Sequence, residues 1–217
     1  PVEVWKEHIC QKLDLTELSM LRCSHTSFDK HWQQNVMTQN VIQVPQGCLT
    51  LEKAMALAVV FSGKKVYTET DPLKIQMDKG VHEIVGYTDE HGTHYKSVNV
   101  TCSHITFVGK GKDQTTILGG FYVNGKQNVK IEQLAVTNDA GYGLLCDGSG
   151  TNVDVTECCF KKCGFSGMGA DAGATITATR CDFMENGHFG VACYVYYGAN
   201  TTARLTDCQM HHNGWHG

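Results

Sequence analysis

Proline is scarce in this sequence, and the sequence has neither an excess of basic residues nor a long apolar run. The 217 residues include only three prolines and carry a net charge of −4, which leaves no surplus of positive charge for a nucleic-acid backbone or an anionic membrane. The longest apolar run, residues 54–61, is far shorter than the roughly 20 residues that cross a bilayer. No secretory signal is visible at the N-terminus. These features predict a globular protein that binds neither nucleic acid nor membrane.

Glycine is absent from the first 46 residues, whereas 18 of the 23 glycines follow residue 108. Frequent glycine is typical of an architecture with a tight turn every few residues. The change in composition predicts two regions, a helical segment over residues 1–40 and a second domain over residues 41–217.

Eleven cysteines are present, and an odd number cannot all be paired in disulfides. A chain of this size also does not need disulfides to fold. Glycosylation triplets begin at Asn99 and Asn200 and would suit a secreted protein, but such triplets are frequent by chance. We therefore expect reduced thiols and a cytoplasmic or nuclear location.

Apolar residues in the first 36 positions recur at helical spacing. The pattern predicts three short amphipathic helices, built on Trp5, Ile9 and Leu13, on Leu18 and Leu21, and on Phe28, Trp32 and Val36. Helices this short bury too little apolar surface to be stable alone. Their apolar faces are expected to pack on the following domain or on a partner.

The first 32 residues also resemble an F-box. The residues that follow the order and spacing of that family are Pro1, Glu3, Val4, Trp5, Ile9, Leu13, Asp14, Leu18, Leu21, Arg22, Ser24, Phe28 and Trp32. F-box proteins are substrate receptors that dock onto the small adaptor protein of a cullin-RING ubiquitin ligase. The resemblance therefore implies that residues 1–36 bind such an adaptor, with docking residues Pro1, Val4, Trp5, Ile9, Leu13, Leu18 and Leu21.

The second region begins with a strand signal and one helix signal. Residues 41–44 alternate as a strand does, and residues 50–60 form an amphipathic pattern with Thr50 as N-cap and Gly63 after the end. This helix, near residues 50–62, is expected to cover an open sheet edge. From residue 73 onward, short alternating runs are divided by Gly, Asn and Asp, which indicates an all-β domain.

One unit is repeated in the C-terminal part, as NVDVTECCFKKCGFSG, TITATRCDFMENGHFG and TARLTDCQMHHNGWHG. Spacings of 23 to 27 residues, with several strands and no helix in each unit, predict a mainly β fold: a right-handed single-stranded parallel β-helix, a solenoid with coils of about 24 residues. A leucine-rich repeat would need its own Leu signature, and a propeller blade would need about twice the length. The chain stops directly after a turn, so we expect a β-helix that is truncated at its C-terminal end.

The apolar spacing inside one unit places a corner at Thr156-Glu157. Equivalent inward positions are then expected to form ladders, namely Val153/Ile176/Ala203, Val155/Ala178/Leu205, Cys158/Cys181/Cys208 and Phe160/Phe183/Met210. A turn in the second half of the unit is expected to carry stacked amides from Asn186 and Asn213. Cys163 occupies the same turn position in the preceding unit.

A metal site and a catalytic site are both weighed against simpler explanations. Cys158, Cys159 and Cys163, or His211, His212 and His216, would suit zinc, but the cysteines recur with the coil period as a small core residue does. We therefore predict no metal and no cofactor. The candidate acids are Asp139, Asp147, Asp154, Asp171, Asp182 and Asp207.

These acids are scattered over the coil, and the one aligned outer column is Glu157, Arg180 and Asp207, with Gln133 below it. Alternating charges in adjacent coils are typical of a satisfied surface ladder. The acid and histidine series of polygalacturonase-like enzymes is absent. We therefore predict no catalytic residues.

The repeat also resembles the β-helix repeats of carbohydrate-binding and sugar-hydrolase proteins, and of a branch of F-box proteins. The combination implies a non-enzymatic recognition scaffold, in which the helical segment binds a ligase adaptor and the β-helix binds an unknown protein target. The alternative is a polysaccharide-binding or polysaccharide-cleaving, pectate-lyase-like β-helix whose helical head is only a cap. Aromatic residues that could form a binding face include Tyr194, Tyr196 and Tyr197.

Overall fold

Strands recur in groups of three along the chain and stack into a right-handed parallel β-helix. The computed structural model describes residues 40–45, 50–63, 65–88, 94–195 and 199–215. The three predicted N-terminal helices lie outside these residues. So do all the predicted adaptor-docking residues, which are Pro1, Val4, Trp5, Ile9, Leu13, Leu18 and Leu21.

Five coils each contribute one strand to each of three parallel sheets; one further strand precedes them in the first sheet, and two further strands follow them in the first and second sheets. Sheet A contains β1 (Val41–Val44), β2 (Leu73–Met77), β7 (Ile105–Val108), β10 (Val129–Glu132), β13 (Asn152–Thr156), β16 (Thr175–Thr179) and β19 (Thr202–Thr206). Sheet B contains β3 (Gly80–Glu83), β8 (Thr115–Leu118), β11 (Ala135–Thr137), β14 (Cys159–Lys161), β17 (Asp182–Met184) and β20 (Gln209–His211). Sheet C contains β6 (Ser97–Val100), β9 (Gly120–Asn124), β12 (Leu144–Asp147), β15 (Met168–Ala170) and β18 (Val191–Cys193). A small antiparallel pair, β4 (Tyr87–Thr88) and β5 (His94–Tyr95), lies between β3 and β6 in the chain.

The strand register confirms the predicted inward ladders. Val153 pairs with Ile176, which pairs with Ala203, and Phe160 pairs with Phe183, which pairs with Met210. The rings of Phe160 and Phe183 are stacked with centroids 5.5 Å apart. Alternate residues of most strands therefore fill one continuous apolar core along the axis of the solenoid.

The predicted corner at Thr156-Glu157 is also confirmed. β13 ends at Thr156, and Glu157 has a φ of 55°, in the left-handed region. Equivalent residues between sheets A and B share this conformation in the other coils, namely Gln133, Arg180 and Asp207. A left-handed non-glycine residue costs about 1–2 kcal/mol, so each corner is held by the strands on either side of it.

One helix lies where the sequence predicts it, at one end of the solenoid. Helix α1 (Leu51–Ser62) begins after Thr50, whose Oγ1 accepts a hydrogen bond from the backbone N–H of Lys53 at 3.3 Å, and Gly63 follows its last residue. Its buried face packs against β6 and β1. No helix in the described part of the chain is long and apolar enough to cross a membrane.

The cysteine ladder has hydrogen-bond partners that the sequence did not reveal. The thiol of Cys181 donates to the carbonyl oxygens of Thr179 at 3.3 Å and Val155 at 3.6 Å, and Cys158 and Cys208 repeat the arrangement one coil away. From the sequence, a serine at position 181 is expected to bury a hydroxyl without a partner. The structure instead places the carbonyl oxygens of Thr179 and Val155 beside this position, and either could accept a hydrogen bond from the hydroxyl.

A second ladder of amides closes the turn after sheet B. Asn186 Oδ1 accepts from the backbone N–H of Cys163 at 3.0 Å, and Asn186 Nδ2 donates to Phe160 O at 3.2 Å and to Asn213 Oδ1 at 2.9 Å. Asn138 occupies the same position two coils before Asn186, because Gly164 N–H donates to Asn138 O as Gly187 N–H donates to Cys163 O. The amide position therefore runs through four coils, with Cys163 as its one non-amide member.

Replacing Asn186 by Ala is predicted to destabilise the fold by about 3 kcal/mol, because it leaves a buried N–H and a buried carbonyl without partners. Urea unfolding monitored by circular dichroism measures the change. Asn213→Ala is the matched comparison, since Asn213 is only half-buried, and about 1 kcal/mol is expected there. Equal losses in the two variants would contradict the ladder.

Candidate functional site

The turn between sheets B and C carries a column of stacked rings on the surface. Phe165, His188 and Trp215 come from successive coils, with ring centroids 5.3 and 4.7 Å apart and interplanar angles of 28° and 22°. Tyr142 of the preceding coil meets Phe165 edge to face at 5.3 Å. We call these four residues the aromatic column.

Backbone pairing between coils places these rings in line. His188 N–H donates to Phe165 O at 3.0 Å, and Trp215 N–H donates to His188 O at 2.9 Å. Glycine precedes each of the three stacked rings, and a Cβ at Gly187 would collide with the carbonyl oxygen of Gly164 in the neighbouring coil. The close approach of the turns therefore requires glycine there, and it brings the rings to stacking distance.

The aromatic column is accessible to a partner. Phe165 is 44% exposed and Trp215 is 61% exposed. Because the rings stack on one another, both faces of His188 and one face each of Phe165 and Trp215 are covered within the column. Exposed aromatic residues on a rigid scaffold are typical of binding surfaces.

Sequence reasoning missed the aromatic column. The signal was present, since Phe165, His188 and Trp215 each follow the glycine after the amide position in their repeat units. The three residues differ in type, however, and only the register between coils shows that they are neighbours. Of the predicted aromatic residues, Tyr194 is described, whereas Tyr196 and Tyr197 lie outside the described residues.

A polar group lies beside the aromatic column on the outer face of sheet C. Tyr122 Oη donates to Asp147 Oδ2 at 3.1 Å, and Asn124 Nδ2 lies 3.0 Å from Tyr122 Oη and 3.4 Å from Asp147 Oδ2. Asp171 occupies the position equivalent to Asp147 in the next coil, since Cys146 pairs with Ala170. Two of the candidate acids are therefore neighbours, which the sequence alone did not reveal.

Tyr142 connects the aromatic column with this polar group. Its hydroxyl lies 3.1 Å from the hydroxyl of Tyr194, which is 52 residues away in the chain. Its ring lies over Gly169, where a Cβ would come within 3.1 Å of Tyr142 Cε1. Tyr194 continues the row of Asp147 and Asp171, because its N–H donates to Ala170 O as the N–H of Asp171 donates to Cys146 O.

The other described candidate acids lie on other parts of the solenoid. Asp154 lies on sheet A, and Asp182 lies on sheet B, where its Oδ2 is 2.5 Å from Lys112 Nζ. Asp139 and Asp207 lie in turns. Apart from Asp147 and Asp171, the described candidate acids are not assembled into a common site.

The structure also brings together the predicted surface column at the corner between sheets A and B. Arg180 donates to Glu157 Oε1 through Nε at 3.0 Å and Nη2 at 2.9 Å, and Gln133 Nε2 donates to Glu157 Oε2 at 3.2 Å. The hydrogen bond from Gln133 and the interactions with Arg180 lower the pKa of Glu157 below its usual value. Asp207 occupies the next corner. These hydrogen bonds hold the Glu157 carboxylate within the column, as in a structural ladder.

The described thiols are all free, and most are buried. Burial raises the pKa of Cys163 to about 12 and raises the pKa of Cys146 and Cys158. Cys159, next to Cys158 in the chain, lies on sheet B and is also buried. No group of three or more His, Cys, Asp or Glu residues that could hold a metal ion occurs in the described part of the chain.

Comparison with known proteins gives one family match. The family model described as a right handed beta helix region matches residues 89–217. Searches of curated proteins and of solved structures give no significant match. The matched residues include the aromatic column, the polar group on sheet C and the surface column of Gln133, Glu157, Arg180 and Asp207.

Replacing Gln133 by Ala, or Arg180 by Met, is predicted to raise the pKa of Glu157 toward its usual value. Carboxyl ¹³C NMR titration measures the shift. Because the folded-state pKa is lowered, the stabilisation from these contacts is present at neutral pH and is lost as the pH falls through that pKa. The difference in Tm between the parent and Arg180→Met should therefore vanish in acid. A difference that persists in acid would point to lost packing of the Arg180 side chain instead.

Proposed function

Because the chain belongs to the right-handed β-helix family, we propose that it is a non-enzymatic recognition scaffold that binds a protein partner through the aromatic column. The observation that carries this proposal is the stack of Phe165, His188 and Trp215, which is partly exposed although the fold offers a core to bury such rings. The stack rests on hydrogen-bonded turns, so it loses little conformational entropy when a partner binds.

The geometry of the rings favours a protein over a sugar as the partner. A sugar would use the flat face of an exposed ring, and the stack covers both faces of His188 and one face each of Phe165 and Trp215. Much of the remaining surface is a ridge of ring edges, with Phe189 packed edge-on against Trp215 at 5.5 Å. Ridges of this kind suit an apolar groove on a folded protein or an extended peptide.

The contacts of the candidate acids support a role without catalysis. Asp182 is paired with Lys112, and Asp147 accepts from Tyr122 and Asn124. Asp171 Oδ1 accepts from the backbone N–H of Ala172 at 2.6 Å. These interactions hold each carboxylate in a structural position.

The proposal extends to residues 1–36 because the first 32 of them resemble an F-box. In that role the N-terminal segment docks onto a ligase adaptor while the β-helix presents the aromatic column to the protein that is to be modified. The free thiols of the β-helix suit the reducing cytoplasm or nucleus in which such a ligase operates.

One observation favours a second candidate function, the binding or cleavage of a polysaccharide. Asp147 and Asp171 lie at equivalent positions of successive coils, with Tyr122 and Tyr194 nearby on the same outer face. Carboxylates beside aromatic hydroxyls are suited to sugar hydroxyl groups. Asp147→Asn would then remove binding or cleavage of a polymer such as methyl-esterified pectin.

Changing the aromatic column is predicted to abolish partner binding without unfolding the protein. In Phe165→Ser/Trp215→Ser, two exposed rings are lost, so the Tm should stay within a few degrees of the parent while a partner captured by the parent from extracts of the native cells is no longer retained. Quantitative mass spectrometry of the captured proteins measures the loss. Val81→Ser is the matched control, because Val81 is 64% exposed on sheet B.

Two results would contradict this function. Retention of the same partner by the double variant would place the binding surface elsewhere. Binding of methyl-esterified pectin that is lost in Asp147→Asn, with no dependence on Phe165 or Trp215, would favour the polysaccharide function instead.

Ile9→Glu is predicted to abolish co-purification with a purified ligase adaptor while leaving the Tm within a few degrees of the parent. The reason is that a residue facing a partner loses only contacts with that partner. Gln11→Glu adds the same charge two positions away and serves as the control. A large fall in Tm for Ile9→Glu would instead place Ile9 in an internal interface, and the N-terminal segment would then be a structural cap.

A further inference from the structure

A cavity lies between helix α1 and the edge of sheet C, well away from the aromatic column. Its volume is about 300 Å³, at the lower end of the range for small-molecule sites. The helix contributes Glu52, Met55, Ala56 and Val59, and the opposite side is formed by Gly86, Ser97, Val98, Asn99 and Thr101. Its lining is mainly apolar, with hydroxyl and amide groups on the side of β6.

A carboxylate at this cavity has one oxygen without a partner. Glu52 Oε1 accepts from the backbone N–H of Val85 at 2.7 Å. Glu52 Oε2 is shielded from solvent, and no hydrogen-bond donor among the described residues reaches it. A buried carboxylate oxygen that makes no hydrogen bond costs free energy. A donor that reaches Glu52 Oε2 would remove this cost.

The position of Glu52 favours a positively charged donor. Glu52 lies in the first turn of α1, where the positive end of the helix dipole stabilises a negative charge. A hydrogen bond from an ammonium group to a carboxylate is about twice as strong as one between neutral groups. The last torsion of a glutamate side chain is soft, so the carboxylate can turn Oε2 toward a donor that enters the cavity.

The apolar lining of the cavity determines which group the ligand carries besides its charged end. Met55 and Val98 are buried at the junction of α1 and β6, and Val59 is 53% exposed. An alkyl chain would bury against these side chains while its charged end meets Glu52. Charge and shape together therefore select a cation with a short apolar chain.

We propose that this cavity binds a primary alkylammonium group of four to six carbons through Glu52. The source is either a free amine or the side chain of a lysine in a peptide, which carry the same chemistry. The site is independent of the proposed partner surface, since it uses none of the residues of the aromatic column.

Titration with n-pentylammonium, followed by ¹H–¹⁵N NMR, tests the proposal. The amide signals of Val85 and Val98 should shift with a Kd of about 1 mM, as befits a ligand of six heavy atoms. 1-Pentanol and pentanoate should bind at least tenfold more weakly, because neither offers a positive charge to Glu52. A parallel titration with lysine blocked at both ends distinguishes the sources, since tighter binding of the blocked lysine identifies a peptide side chain.

Two variants and one control complete the test. Glu52→Gln keeps the hydrogen bond to Val85 N–H but removes the charge, and it should raise the Kd for n-pentylammonium at least tenfold. Ala56→Leu places a larger side chain at the cavity from an exposed helix position, and it should block binding while the Tm is maintained. Glu69→Gln removes an exposed carboxylate elsewhere and should leave the Kd for n-pentylammonium unchanged.

The proposal is overturned if n-pentylammonium produces no shifts at 20-fold its expected Kd. It is also overturned if 1-pentanol binds as tightly as the amine, or if Glu52→Gln and Glu69→Gln bind the amine equally. In each of these cases the cavity is an apolar depression that holds water.

Discussion

Backbone hydrogen bonds between successive coils set the geometry of the whole solenoid. They join strands in parallel register across all three sheets, at a spacing of about 4.8 Å. This spacing turns each residue position of the repeat into a row along the axis. It also sustains the left-handed corner residues, such as Glu157 and Arg180, whose conformation would be unfavourable without the strands on either side.

The same spacing organises the interior and the surface. Inside, Phe160 stacks on Phe183, and the thiols of Cys158 and Cys181 each donate to carbonyl groups of the ladder. Outside, it stacks Phe165 on His188. The two rows of rings differ only in solvent exposure. A row that points inward stabilises the core, whereas a row that points outward forms a ridge that a partner can contact.

The helical end of the solenoid follows different rules. Helix α1 is not part of the repeat, and its curved surface packs against β6 and β1 without the regular pairing of two strands. This mismatch leaves the cavity beside Glu52. The repeat thus builds a rigid surface, whereas its junction with a different element leaves space for a small ligand.

Much of the fold could be predicted from the sequence, because the repeat contains the same local pattern several times. The corner at Thr156-Glu157, the inward ladders and helix α1 depend on residues close together in the chain or one period apart. The polarity of each row also indicated which side chains face inward. The first 32 residues, which resemble an F-box, lie outside the described residues, so the structure does not test that resemblance.

The candidate sites were decided by tertiary structure, because their contacts cross turns of irregular length. Asn138 shares the amide position with Cys163 although the spacing in its coil differs. The segment from Leu134 to Asn138 is one residue shorter than the equivalent segment of the next coil, and the segment from Asn138 to Leu144 is one residue longer. Tyr142 meets Tyr194 across 52 residues, Lys112 meets Asp182 across 70, and Glu52 meets Val85 across 33. The period and polarity of the repeat were enough to predict the solenoid and the order of its rows, since strand pairing at a constant period follows from local pattern. Only folding decided which rows and turns lie side by side, since the lengths of the intervening turns set where each side chain comes to rest.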